Sequence, residues 1–185
     1  MAVLSEDRDA PGVQLSRLAP ARRVLLESIA AELLPHYGRG RTTIAIAGPG
    51  DTARFADDLA LAFQDRDAVV FRASIDDFLL PRAQRTGTGY DVSLLRRVLL
   101  DPFRMGGSAG FTLAGFDRAR DVPFETSWTT GPADAILLID GEHLLDLDLR
   151  GLWHASVAID ADLAASITVD DTDPEHPQRR WLDSC

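Results

Sequence analysis

Thr42-Thr43-Ile44-Ala45-Ile46-Ala47-Gly48-Pro49-Gly50-Asp51-Thr52-Ala53-Arg54-Phe55-Ala56-Asp57-Asp58-Leu59 decides the fold class. The first six residues are β-branched or apolar with no alternation, the pattern of a strand buried on both faces. Gly48-Pro49-Gly50 is a turn. From Ala53 to Phe63, apolar residues recur at Phe55, Leu59 and Phe63, the spacing of one helix face. A buried strand that runs through glycines into a helix is the opening half of a parallel crossover.

The alternation continues outward. Upstream, Leu18 to Leu34 places Leu25, Ile29 and Leu33 at helical spacing, with Pro20 near the start. Downstream, Ala68–Ala73 (AVVFRA), Ala135–Ile139 (AILLI), Leu152–Ile159 and Ser166–Val169 predict further strands. Asp91 is the expected N-cap of a helix reaching Leu100. Leu79 to Tyr90 reads as a loop. Phe103 to Pro132 reads as irregular, with a short strand near Phe111 to Phe116, and Asp170 to Cys185 reads as a polar tail. The expected fold is α/β: a parallel sheet covered by helices on both faces. Met1 to Gly12 is expected to be a disordered tail, leaving residues 13–185 as a single domain. Ligands of such sheets bind beyond the strand carboxyl ends, here Gly48, Ile75-Asp76 and Asp140.

Composition narrows the function classes. The chain has 185 residues, 45% of them apolar, and a net charge of −10. That charge argues against nucleic acid and anionic membranes as partners. Its apolar stretches are too short to cross a bilayer, and the first residues carry no apolar signal core. The single cysteine, Cys185, excludes an internal disulfide framework and fits the cytoplasm. All 19 basic residues are arginine, so no chemistry here can use a lysine amine.

The turn after the first strand stands where a phosphate-binding loop, G-x-x-x-x-G-K-[ST], would stand. Such a loop wraps phosphates with backbone amides at a helix N-terminus, meets them with a lysine and holds magnesium with a hydroxyl. Seven segments in order resemble bacterial uridine kinase-like proteins: IAIAGPGDTARFADDLALAF, ASIDDFLLPRAQR, GYDVSLLRRVLLDPF, GFDRARDVPFE, AILLIDGEHLL, LRGLWHASVAID and VDDTDPEHP. The resemblance covers most of the chain from about Leu18. It implies a P-loop kinase fold, a three-layer parallel sheet, and transfer of the γ-phosphate of ATP to a nucleoside 5′-hydroxyl.

The resemblance also assigns roles. Asp76 matches the aspartate that accepts the substrate hydroxyl proton, although a plain turn cap is the alternative. Asp140 matches the acid at the end of the Walker B strand, which assists magnesium. Gly48, Gly50, Thr52 and Arg54 form the degenerate phosphate loop, while Asp76, Arg82, Tyr90 and Asp117 are substrate-side candidates. Several positions depart from the pattern. Asp51-Thr52-Ala53 replaces G-K-[ST], and the loop looks two residues short. Leu79 and Arg118 stand where relatives carry histidine, and the substrate loop at Arg85 to Gly89 is shortened. Asp160 to Ala165 leads directly to Ser166, where relatives carry a long arginine-bearing lid.

Glu142 and His143 read as surface residues, and Trp128, Trp153 and Trp181 as packing residues. Three readings stand: a non-catalytic binding or regulatory module with a protein partner or homodimer; an active kinase using magnesium-ATP, with Arg54 and backbone amides replacing lysine; and a decaying copy that folds poorly.

Overall fold

The computed structural model describes residues 11–37, 40–124, 127–146, 149–161 and 163–181. Residues 1–10 of the expected tail lie outside that set. Pro11 and Gly12, read as its end, instead open a one-turn helix, α1 (Pro11–Leu15), which buries Leu15. α2 (Pro20–Tyr37) begins at its proline, whose missing N–H costs nothing in a first turn.

β1 (Thr42–Ala47) is followed by α3 (Thr52–Gln64) and β2 (Val70–Ser74). A helical stretch comes next: α4 (Val92–Leu95), a π-type turn over Arg96–Leu100, and α5 (Asp101–Met105). The helix was expected to stop at Leu100. Pro102 sits in the first turn of α5, where a proline is tolerated, so the chain stays helical to Met105. A small antiparallel hairpin, β3 (Phe116–Asp117) with β4 (Val122–Pro123), precedes β5 (Ile136–Gly141). β6 (Ala155–Ile159), β7 (Ile167–Asp170) and β8 (Gln178–Arg180) complete the order.

The main sheet runs β2-β5-β1-β6-β7-β8, parallel except for β8. β8 lies in the expected polar tail. Its arginines find acids on neighbouring elements, Arg179 on Glu32 of α2 and Arg180 on Asp170 of β7, which is how so polar a segment joins an edge. β1 is central, and the chain leaves it toward β2 on one side and later fills β6 on the other. Its carboxyl end is therefore the topological switch point.

Successive β1 residues divide between two cores, as the period of two requires. Ile44 and Ile46 pack with Leu26, Ile29, Phe55, Leu59 and Phe63 of α2 and α3. Ala45 and Ala47 face the other way, where their small size admits Leu95, Leu99, Leu100 and Phe103 of the α4–α5 stretch. Each large side chain buried this way contributes about 1.5–3 kcal/mol. The region 103–132 was expected to be irregular, and Arg41 holds it. Its guanidinium donates to the carbonyls of Phe103, Gly107, Gly131 and Pro132 and lies over the rings of Phe103 and Phe111.

Candidate functional site

The carboxyl ends of β1, β2 and β5 open into one cleft of about 620 Å³. Gly48, Gly50, Asp51 and Thr52 form one wall, Ser74, Asp76, Asp77 and Tyr90 another, and Asp140, Gly141 and Glu142 a third. The three strand ends singled out in the sequence thus meet in space.

The loop after β1 is closed on itself. Gly48 has φ +143°, and a Cβ there would lie 1.9 Å from the Ile159 carbonyl oxygen, so only glycine fits against the end of β6. A Cβ on Gly50 would lie 2.6 Å from an Asp160 carboxylate oxygen. Asp51 caps α3 by accepting from the Arg54 N–H at 3.0 Å. Thr52 N–H donates to Gly50 O at 2.8 Å and Phe55 N–H to Asp51 O. The Thr52 and Arg54 amides are therefore bonded within the loop, the Phe55 amide opens the α3 ladder, and a carboxylate sits where the helix end attracts an anion.

Arg54 turns along α3 toward Asp58, with Nε 4.0 Å from its carboxylate, and does not line the cleft. The cation that does line it near α3 is Arg72 of β2. Its Nη2 donates to Asp140 at 2.9 Å and to Ala53 O at 3.2 Å, its Nε to Asp57 at 2.8 Å and its Nη1 to Leu138 O. One sequence signal pointed to Arg72: it is the charged residue of an otherwise apolar strand, AVVFRA, and a charge on a covered sheet needs partners.

Asp140 is 5% exposed. Burial raises its carboxyl above the ordinary range, against the pull of Arg72. Asp76 accepts from Tyr90 Oη at 3.4 Å and from Arg118 Nη1 at 3.3 Å. Arg118 also reaches Asp77 at 3.4 Å. Burial raises Asp77, with Arg118 opposing. Tyr90 is pushed up to about 12 by burial first and by the adjacent Asp76 second. Two substrate-side candidates lie outside the cleft. Arg82 is exposed and meets Asp121 with both its side chain, Nε 3.8 Å from the carboxylate, and its N–H, and Asp117 accepts the N–H groups of Ala119 and Arg120 in the hairpin turn.

Taken together, five acids, Asp51, Asp76, Asp77, Asp140 and Glu142, line the cleft against two arginines, Arg72 and Arg118. Glu142, read as a plain surface residue, is one of them. No group of three acid, histidine or cysteine side chains suited to a metal ion occurs among the described residues.

Two solved structures superpose on this chain. One, described as a possible uridine kinase from Bacillus stearothermophilus, is 20% identical, with a TM-score of 0.63 over 75% of this chain and 81% of that one. The other, provisionally described as a fructose transport system kinase from Silicibacter sp. TM1040, is 20% identical, with a TM-score of 0.59 over 74% of each chain. The fold is that of the P-loop kinases. No protein-family model matches the chain, and no curated protein matches it in sequence. No helix among the described residues is long and apolar enough to cross a membrane.

Within a P-loop kinase fold, magnesium-ATP would lie between the β1 loop and Asp140. The residues here do not fit it. The Thr52 and Arg54 amides at the start of α3 are bonded within the loop, the Asp51 carboxylate would meet the phosphates with negative charge, and Asp140 is bound by Arg72.

Where β6 ends, only residues 160–166 lead to the parallel β7. Ser166 exchanges hydrogen bonds with Ser156 and Ile167 pairs with Val157, so the connection runs back along β6 by about three residues, roughly 10 Å at 3.3 Å per residue. The described residues of this connection, 160–161 and 163–166, form no helix.

Proposed function

We propose that this chain keeps a P-loop kinase fold as a binding or regulatory module and does not transfer phosphoryl groups. Asp51 carries the proposal: its carboxylate caps α3 at the point where a phosphate loop receives its ligand. Three further features support it. The chain has no lysine, its phosphate-side cleft is predominantly acidic, and residues 160–166 contain no arginine for a lid. Phosphoryl transfer depends almost wholly on positioning and on positive charge around the transferred group, so these losses fall on the terms that matter most. A protein partner or a second copy is the ligand class this reading favours, in the cytoplasm.

Retention of Asp76, Tyr90 and Asp140 in one cleft favours a second reading, a uridine-type or small-molecule kinase with a non-standard loop. A coupled assay of ATP turnover with uridine and magnesium separates the two. The module reading expects turnover at background, unchanged in Asp76→Asn. Turnover above background that Asp76→Asn abolishes would establish the kinase reading instead.

A further inference from the structure

A second concavity of about 550 Å³, the size of a small-molecule site, shares Ala114 with the cleft. α4 and the turn after it line it with Leu94, Arg97 and Val98, and Phe124 and Trp128 line it from the segment after the hairpin strand β4. Thr112, Ala114 and Gly115 of the segment 112–115 line it as well. This segment is fixed on both sides, since Thr112 N–H donates to Val98 O and Phe124 N–H donates to Gly115 O. Gly115 lets this segment approach α4: a Cβ there would stand 3.0 Å from Leu94. The slot is therefore a feature of the backbone.

Two properties set it apart from the rest of the surface. The first is exposed aromatic area. Trp128 is 63% exposed and Phe124 43%, and both face the same hollow. Trp128 was read from the sequence as a packing residue, and no burial accounts for it. Trp181 is likewise exposed at 77%, but it is held by Arg179 beneath its ring. The second is charge. In a protein of net charge −10, the charged residue lining this slot, among the described residues, is an arginine, and Arg97 forms no ion pair within that set. An apolar, aromatic-walled hollow with one guanidinium matches a ligand with an apolar body and one carboxylate. The carboxylate pairs with the planar fork of Arg97, and the body lies against Phe124 and Trp128.

We propose that this slot binds a small apolar monocarboxylate, with Arg97 taking the carboxylate and Trp128 and Phe124 the apolar body. Ala114 lines both this slot and the acidic cleft, so an occupant would lie one residue from the cleft wall.

Calorimetric titration of the full chain with phenylacetate, and with the neutral 2-phenylethanol, tests the proposal. Saturable one-site binding of phenylacetate is expected. Arg97→Gln, at an exposed position, should weaken phenylacetate about tenfold or more while leaving phenylethanol unchanged. Trp128→Ala should weaken both and remove the quenching of tryptophan fluorescence that accompanies binding. Absence of saturation at concentrations about tenfold above the millimolar Kd typical of so small a ligand would overturn the proposal. So would equal loss of the two ligands in Arg97→Gln. Sedimentation showing a dimer that Trp128→Ala dissociates would also overturn it, since the slot would then be an interface between copies.

Discussion

Replacing Arg22 by methionine should destabilise the protein by about 3 kcal/mol. Arg22 is 1% exposed at the start of α2. Its Nε donates to Asp58 of α3 at 2.7 Å and its Nη1 to Asp171 beyond β7 at 2.5 Å, and the guanidinium lies 5.4 Å from the Phe55 ring. One arginine thus ties α2, α3 and the end of the sheet. Breaking a buried ion pair from one side costs about 3–5 kcal/mol, because the partner carboxylate is left in a poor medium. The lower end applies here. Asp58 keeps Arg54 within 4.0 Å, and the buried Nη2 of Arg22, which has no hydrogen-bond partner among the described residues, is removed together with its own cost. Three kcal/mol corresponds to a fall in Tm of roughly 6–12 °C at this chain length. Urea denaturation at pH 7 with an unchanged m-value measures the effect. Adding Asp171→Leu to Arg22→Met should restore part of the loss, since it removes the stranded charge. A loss below about 1 kcal/mol, or no recovery in the double variant, would refute the assignment of this network as the tie between the layers.

Asp140→Asn should stabilise the fold at neutral pH. Burial raises its carboxyl, so the folded state holds the proton more tightly than the unfolded state, and ionisation costs stability as pH rises from the ordinary carboxylate range through the raised value. The gain should therefore vanish in melts below about pH 4, where both states are protonated. Asp51→Ala should lose about 1 kcal/mol in a thermal melt as α3 loses its cap, whereas Asp51→Ser should stay near wild type while removing the charge. Gly48→Ala should yield little soluble protein on expression, because a Cβ at 1.9 Å from the Ile159 carbonyl cannot be accommodated at φ +143° without moving β6.

Strand and helix positions were legible where one physical rule governed them. β1, α3, β5 and β7 follow from unbroken apolar runs and from the spacing of Phe55, Leu59 and Phe63, and the convergence of Gly48, Asp76 and Asp140 follows from the parallel sheet. Features made by long-range pairing were not legible. Nothing in Gln178-Arg179-Arg180 marks it as a strand until Glu32 and Asp170 are seen beside it. Arg54 stood nearer the expected lysine in sequence, yet Arg72, from the neighbouring strand, reaches Asp140. The acidity of the chain argues against Trp128 as a base-stacking platform and so for packing, but its exposure depends on the course of a segment with little periodic pattern of its own.

Thermal unfolding with and without magnesium-ATP tests the central claim most directly. A ligand at about 100 times its Kd adds about 2.7 kcal/mol to a state that binds it, a rise of several degrees for a chain of this length. The account predicts a cooperative melt whose midpoint does not move with millimolar magnesium-ATP, because Asp51 holds the amide and the negative charge at the start of α3. A concentration-dependent rise in Tm, lost on addition of excess EDTA, would contradict it.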